Sequence, residues 1–165
     1  MAQMTNVIVD ALLWFAAIGC SLLGGLFFTF SAFAMRALGS LAPAAGIAAM
    51  NAINRDILRS LFMPLFWGTT LAALALAILA LWHWEKAGAP AMFAAGVVYV
   101  LGMFVVTVAI EVPQNNRLQA VDANDATALP VWQRYLSKWT AWNHVRTVAC
   151  LLAGVLCVAA LLARA

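Results

Sequence analysis

The side chains best suited to chemistry are concentrated in three short stretches that border apolar runs. The richest is residues 132–146, WQRYLSKWTAWNHVR. At about 100° per residue, one face of a helix through this stretch carries Trp132, Tyr135, Trp139, Asn143 and Arg146. Tryptophans at a membrane end often form an interfacial belt. A belt does not require Asn and Arg at the same spacing, so the alternative is a face that binds a flat aromatic ligand.

Two further residues of this stretch lie off that face. Trp142 flanks it, whereas His144 points well over a quarter-turn away. The second histidine, His83, belongs to the opposite membrane end, so one subunit is not expected to build a two-histidine metal centre. His144 could supply at most a single axial haem ligand. The three cysteines lack metal-ligand spacing, and no metal site is predicted.

The second stretch, residues 111–118, reads EVPQNNRL. Pro113 removes a backbone donor, and the helix is expected to break there. The amides of Asn115 and Asn116 either satisfy the carbonyls freed at that break or face a binding site. Glu111 is the acid closest to a membrane span on this side. An acid at that depth is costly unless it is paired, and its candidate partners are Arg55, Arg117 and Arg146.

The third stretch lies in the first loop, where residues 47–58 have helical periodicity. One face would carry Ile47, Asn51, Asn54, Arg55 and Leu58. This mixture predicts either a polar face packed against protein or an interfacial helix that extends its arginines toward headgroups. We expect Asn54 or Arg55, Asn115 or Asn116, and Asn143 or Arg146 to meet in one polar cluster.

The rest of the chain is built to lie in lipid. It is 66% hydrophobic and 9% charged, against about 45–50% and about 25% in soluble domains. Four runs approach the length of a membrane span, about 7–34, 61–82, 90–110 and 147–162. The prediction is an all-α integral membrane four-helix bundle, one domain over 1–165, with helical extensions on the cytoplasmic side. The last span is short and should recruit residues upstream of Thr147.

Charge placement predicts the orientation of the bundle. Loop one joins the first span to the second, and loop three joins the third span to the fourth. Seven Lys and Arg flank these two loops, and two flank the opposite ends of the spans. By the positive-inside rule, loops one and three are cytoplasmic and both termini lie outside, as in a bacterial inner membrane protein. The nine basic residues form no stripe, so nucleic acid is not an expected partner.

The motifs Val112-Pro113-x-Asn115-x-x-Leu118 and Trp139-x-x-Trp142-Asn143-His144-x-Arg146, with Asn54 in the first loop, resemble the anthrone-oxygenase-like family of small four-helix membrane proteins. The resemblance extends from roughly Phe28 to Val155. It implies oxidation of an anthrone to an anthraquinone by molecular oxygen without a cofactor.

That chemistry needs a base, donors to a phenolate oxygen and a dry aromatic slot. His144 or Glu111 is the candidate base. Asn143, Asn115 and Arg146 are candidate donors, Trp139 and Trp142 can stack on the rings, and Asn54 completes the binding set.

Three functions therefore remain open. The first is an oxygenase or oxidase of an aromatic, anthrone- or quinone-like molecule. The second is a non-catalytic membrane module that binds a lipid, a quinone or a partner protein, and a homo-oligomer is compatible with either. The third is a small transporter. Against transport, the one acid expected inside a span is Asp10, close to the outer end.

Overall fold

The computed structural model describes residues 2–123, 125 and 127–165, and its described residues form helices joined by turns and short irregular links. Helix α1 consists of Ala2–Thr29, a wide π-helical turn at Phe30–Ala34, and Met35–Gly39. Helix α2 is Pro43–Ile57 and helix α3 is Phe62–Trp82. Helix α4 consists of Ala89–Tyr99, two wide π-helical turns at Val100–Val105 and Thr107–Glu111, and Val112–Gln119, and helix α5 is Ala128–Arg164.

The prediction of four spanning helices is confirmed. Helices α1, α3, α4 and α5 are each long and apolar enough to cross a membrane. Large apolar side chains such as Trp14, Ile18, Leu71 and Val155 point outward along them. An outward apolar surface of this kind needs lipid to cover it. The chain is therefore an all-helical membrane protein; which end faces the cytoplasm stays a prediction.

The four spans form a closed ring in the order α1, α3, α4, α5, with antiparallel neighbours. Close approach at each contact depends on a glycine: Gly19 at α1–α3, Gly96 at α3–α4, Gly102 at α4–α5 and Gly24 at α5–α1. Small residues let membrane helices pack tightly where no hydrophobic effect drives them together. The short link between α3 and α4 turns at Gly88, whose φ is 81°, a conformation that glycine adopts without strain.

Helix α2 lies across one end of this ring. It contacts α5, the last segment of α4 and the last segment of α1. Pro43 occupies its first turn, a position that suits proline because the N–H it lacks has no partner there. We call this end, where loops one and three also lie, the capped end. Below α2 packs a cluster that includes Met35, Ile47, Leu118 and Trp132.

Helix α5 confirms the predicted continuity of the last helix. Its 37 residues are unbroken, which corresponds to about 56 Å at 1.5 Å per residue. The hydrocarbon core of a bilayer is about 30 Å thick. The last span therefore recruits residues upstream of Thr147, as expected.

The predicted break at Pro113 is wrong. Helix α4 continues to Gln119, with Pro113 in the first turn of its last segment and the wide turn Thr107–Glu111 directly before it. A wide turn shifts the backbone bonding register from i+4 to i+5, so the chain accommodates the missing N–H of proline without breaking. As a result Glu111 falls within the candidate span Ala89–Gln119. The expectation that Asp10 is the one acid inside a span is therefore corrected.

Candidate active site

The predicted polar and aromatic face of α5 is buried throughout. Its members Trp132, Tyr135, Trp139, Asn143 and Arg146 are all inaccessible or nearly so, and Cys150 and Cys157 continue the buried face. The period of the helix places these side chains toward α1 and α4. The face is thus part of the protein interior and does not form a belt around the bundle.

Asn143 joins α5 to α1. Its Nδ2 donates to the Phe27 carbonyl and to Ser31 Oγ, each at 2.7 Å, and its Oδ1 accepts from Arg146 Nη2 at 2.7 Å. Ser31 Oγ also lies 3.2 Å from Thr147 Oγ1. Both amide hydrogens of Asn143 are used within the protein. Asn143 therefore positions Arg146, and its amide has no donor left for a ligand.

Arg146 forms the charged centre of the site. Its Nη2 lies 3.7 Å from Glu111 Oε1, and its Nη1 donates to Thr107 Oγ1 at 3.4 Å. The guanidinium carbon lies 4.3 Å from the centroid of the Phe27 ring and 5.1 Å from that of Trp139. Cation–π contacts of this kind strengthen when water is excluded. Of the three partners predicted for Glu111, Arg146 is the one that the structure brings to it.

Glu111 is 1% exposed. Neither of its carboxylate oxygens makes a hydrogen bond within the described part of the chain, and 3.7 Å to Arg146 is beyond hydrogen-bond distance. Buried polar atoms are usually hydrogen-bonded, so an unpartnered carboxylate is an exception that needs a reason. A carboxylate with free lone pairs that lines a cavity is able to accept a proton from a ligand.

Asn115 is held in one orientation by two donors. Tyr135 Oη and Trp139 Nε1 both donate to its Oδ1, at 2.7 and 3.0 Å. Since an indole N–H can only donate, the acceptor oxygen of Asn115 must face α5. The amide nitrogen is then on the other side of the group. Asn115 therefore keeps a donor available to a ligand. Asn54 Nδ2, which is buried and has no hydrogen-bond partner among the described residues, is a second such donor in the same cavity.

These groups surround a cavity of about 290 Å³ beneath α2, close to the lower end of the usual size range for small-molecule sites. Its aromatic walls are Phe27, Phe30, Phe62 and Trp139. Its polar lining comes from three elements: Asn51, Asn54 and Arg55 of α2, Thr107, Glu111, Asn115, Asn116 and Gln119 of α4, and Arg146 of α5. Each of the three segments of the predicted polar cluster thus contributes to one cavity, although Arg146 lines it and Asn143 does not.

Three of the predicted site residues do not line this cavity. Asn143 lies behind Arg146, to which it is bonded, and is not part of the lining. His144 is exposed on the outer side of α5, because one residue after the inward-facing Asn143 rotates the side chain by about 100°. Trp142 is 40% exposed and lines a separate outer groove. Of the two candidate bases, Glu111 lines the cavity and His144 does not.

Sequence reasoning missed the hydroxyl groups that complete the site. Ser31, Thr107 and Thr147 all bond to Asn143 or Arg146. Thr107 is the one polar side chain in the apolar run 100–110, whereas Ser31 and Thr147 lie close to other polar residues. For Thr107 that isolation was the available signal, since a hydroxyl in a spanning helix seeks a partner inside the bundle.

Within residues 2–123, 125 and 127–165, no three His, Cys, Asp or Glu side chains form a group that could hold a metal ion. The cavity is lined by one carboxylate, the guanidinium groups of Arg55 and Arg146, several amides and aromatic rings. Fold and site together define a four-helix membrane protein whose capped end holds a cavity with a buried pair of opposite charges, Glu111 and Arg146.

Comparison with known protein families shows which family the chain belongs to. A sequence model of the anthrone oxygenase family matches residues 57–156, which is more than half of the chain. The protein belongs to the anthrone oxygenase family, as its motifs predict. The matched region contains Glu111, Asn115 and Arg146, whereas Asn54 precedes it. No curated protein and no solved structure matches the chain. Membership suggests an oxygenase-like function.

Proposed function

We propose that this protein is a membrane-embedded oxygenase that uses molecular oxygen, and no metal or organic cofactor, to oxidise an aromatic small molecule of the anthrone type. The observation that carries the proposal is the position of Glu111. Its unpartnered carboxylate lines an aromatic cavity and lies 3.7 Å from a fixed guanidinium. A base beside a cation is the combination required to form and stabilise a carbanion.

The overall reaction balances without a further reductant. An anthrone carries a CH₂ group opposite its ring carbonyl. That carbon loses two hydrogens and gains one oxygen atom from O₂ to become the second carbonyl of the quinone. The other oxygen atom leaves with the two hydrogens as water. The substrate supplies four electrons, and O₂ accepts four.

The residues of the cavity have distinct roles in this proposal. Glu111 removes a proton from the CH₂ carbon, and the negative charge passes through the ring to the carbonyl oxygen. Arg146 and the amide nitrogen of Asn115 donate to that oxygen. Donors aimed at a developing oxyanion typically contribute about 10²–10³ in rate. The resulting electron-rich anion then reacts with O₂.

The aromatic walls select the substrate. Phe30 and Trp139 meet edge to face, with ring centroids 5.5 Å apart, and Phe27 lies against Arg146. Flat rings pack against such walls by offset stacking and edge contacts. An apolar substrate would enter from the membrane, since the exposed Leu58 and Val112 lie at the edge of the cavity.

The test is oxygen consumption by the purified protein in detergent with a soluble anthrone, followed together with the absorbance of the quinone product. Protein-free micelles provide the background, because anthrone anions also react with O₂ in solution. We expect one O₂ consumed for each quinone formed. Glu111→Gln should lose about 10²–10⁴ of the rate, whereas the matched variant His144→Gln should keep it.

Three results would contradict the proposal. Equal turnover by wild type and Glu111→Gln would show that Glu111 is not the base. Loss of turnover in His144→Gln would show that His144 is the base. If wild type binds the anthrone, measured by tryptophan fluorescence, but never oxidises it, the protein is a binding module of the same membrane class. Binding in that case would still depend on Trp139.

A further inference from the structure

A second groove opens on the outer surface of the bundle, between the last segment of α4 and the first half of α5. Its volume is about 320 Å³. The residues that matter here are the basic Arg117, Arg134 and Lys138 and the apolar Ala109, Ile110 and Trp142. Tyr135 separates the groove from the inner cavity, because it lines the groove while its hydroxyl bonds to Asn115. The groove is therefore a different site from the proposed active site.

Charge and apolar surface are graded along this groove. On α4, Arg117 lies eight residues beyond Ala109, and on α5, Arg134 lies eight residues before Trp142. At 1.5 Å per residue, each separation is about 12 Å. Since α4 and α5 are antiparallel, the three cations meet near the capped end, and the apolar residues lie deeper in the membrane. A phospholipid has the same order, with an anionic phosphate followed by acyl chains.

Within the part of the chain that the structure describes, the three cations have no side-chain partner. No hydrogen bond or ion pair joins Arg117, Arg134 or Lys138 to another described side chain, and no Asp or Glu of the described residues lines the groove. All three side chains are exposed. Like charges gathered in one groove repel one another, and an anion between them relieves that repulsion.

We propose that this groove binds one anionic phospholipid. Its phosphate is held by Arg117, Arg134 and Lys138, and the first carbons of an acyl chain lie against Ala109 and Ile110. The indole of Trp142 lies between headgroup and chain, the depth that tryptophan favours at a bilayer surface. A zwitterionic lipid carries a cation beside its phosphate, which these three residues repel, so it should bind more weakly.

The experiment compares phosphatidylglycerol with phosphatidylcholine of the same acyl chains. Each lipid is titrated into the protein in a non-ionic detergent, and native mass spectrometry counts the bound molecules. We expect one phosphatidylglycerol per protein, bound at least about tenfold more tightly than phosphatidylcholine. The double variant Arg134→Gln/Lys138→Gln should weaken phosphatidylglycerol binding about 30-fold, because each basic residue near an anionic lipid surface contributes about fivefold to binding.

A matched double variant provides the control. Arg36→Gln/Arg59→Gln removes the same charge from the same end of the bundle, at exposed positions that do not line the groove. It should bind phosphatidylglycerol as wild type does. Far-UV circular dichroism checks that both double variants are folded, and the single variant Lys138→Gln, expected to lose about fivefold, serves if the groove variant is not.

Three results would overturn the proposal. One is wild type with no preference for phosphatidylglycerol over phosphatidylcholine. Another is equal weakening in the two double variants, which would mean attraction by overall surface charge. The last is displacement of bound phosphatidylglycerol by glycerol phosphate at equal concentration, which would mean that the groove holds a free anion and makes no use of the acyl chain.

Discussion

Replacing Arg146 by Met tests how the buried charges are held. The substitution removes the guanidinium near Glu111, the donor to Asn143 Oδ1 and the cation above the Phe27 ring. Met retains much of the side-chain volume, so little new space is opened. What remains is a carboxylate that is 1% exposed and has no hydrogen-bond partner among the described residues.

Arg146→Met should lower the free energy of unfolding more than Glu111→Gln does, because it leaves Glu111 buried without a compensating charge. Removing one member of a buried ion pair costs about 3–5 kcal/mol, because the other charge is left uncompensated. Glu111→Gln should cost less, about 1–2 kcal/mol, since Arg146 keeps its bond to Asn143 and its contact with Phe27. The double variant Glu111→Gln/Arg146→Met should cost about 2 kcal/mol less than the sum of the single variants, because neither charge is then left alone.

The assay is unfolding in mixed micelles with increasing mole fraction of sodium dodecyl sulfate, followed by far-UV circular dichroism. All four proteins are measured at one pH and one lipid composition. Two outcomes would refute the reasoning. If the losses in the single variants simply add in the double variant, the two groups do not interact. If Glu111→Gln is the more damaging change, the carboxylate has a partner that the geometry does not contain.

Two further predictions concern packing and can be checked by the same unfolding assay. Asn143→Ala should lose about 2 kcal/mol, because the Phe27 carbonyl, Ser31 and Arg146 each lose a buried bond; a loss below about 0.5 kcal/mol would show that water replaces the amide. Gly96→Ala should lose about 1–3 kcal/mol, since the new methyl carbon would lie 2.5 Å from the Ala73 carbonyl oxygen. Gly25→Ala is its control: no atom lies within 4 Å of the added carbon, so that variant should be as stable as wild type or more so.

Much of the fold could be predicted because lipid imposes simple rules on sequence. Spans must be long and apolar, and their backbone bonds must close within the helix. The four spans and the buried face from Trp132 to Cys157 follow from those rules alone. Their ends were less predictable: α4 runs nine residues past its predicted end, because wide turns accommodate Pro113.

The site was predictable in composition and less so in geometry. The helical period identified Trp139, Asn143 and Arg146 as one face, and the same period excluded His144 from it. The resemblance to family motifs nonetheless left His144 and Glu111 as alternative bases. The structure agrees with the helical period, since His144 lies on the outer side of α5 while Glu111 and Arg146 line the cavity.

The sequence by itself thus determined the membrane class, the helices and the inward face of α5, because periodicity and apolar length are properties of one segment at a time. Only the tertiary structure decided which charges meet and which donors stay free. Arg146 was one of three cations that could pair with Glu111, and the ring order of the spans made the choice. Asn115 and Asn143 are both amides at a helix surface. One keeps a donor for a ligand and the other has none, because their neighbours come from different helices, and no local pattern encodes a neighbour that is distant in sequence.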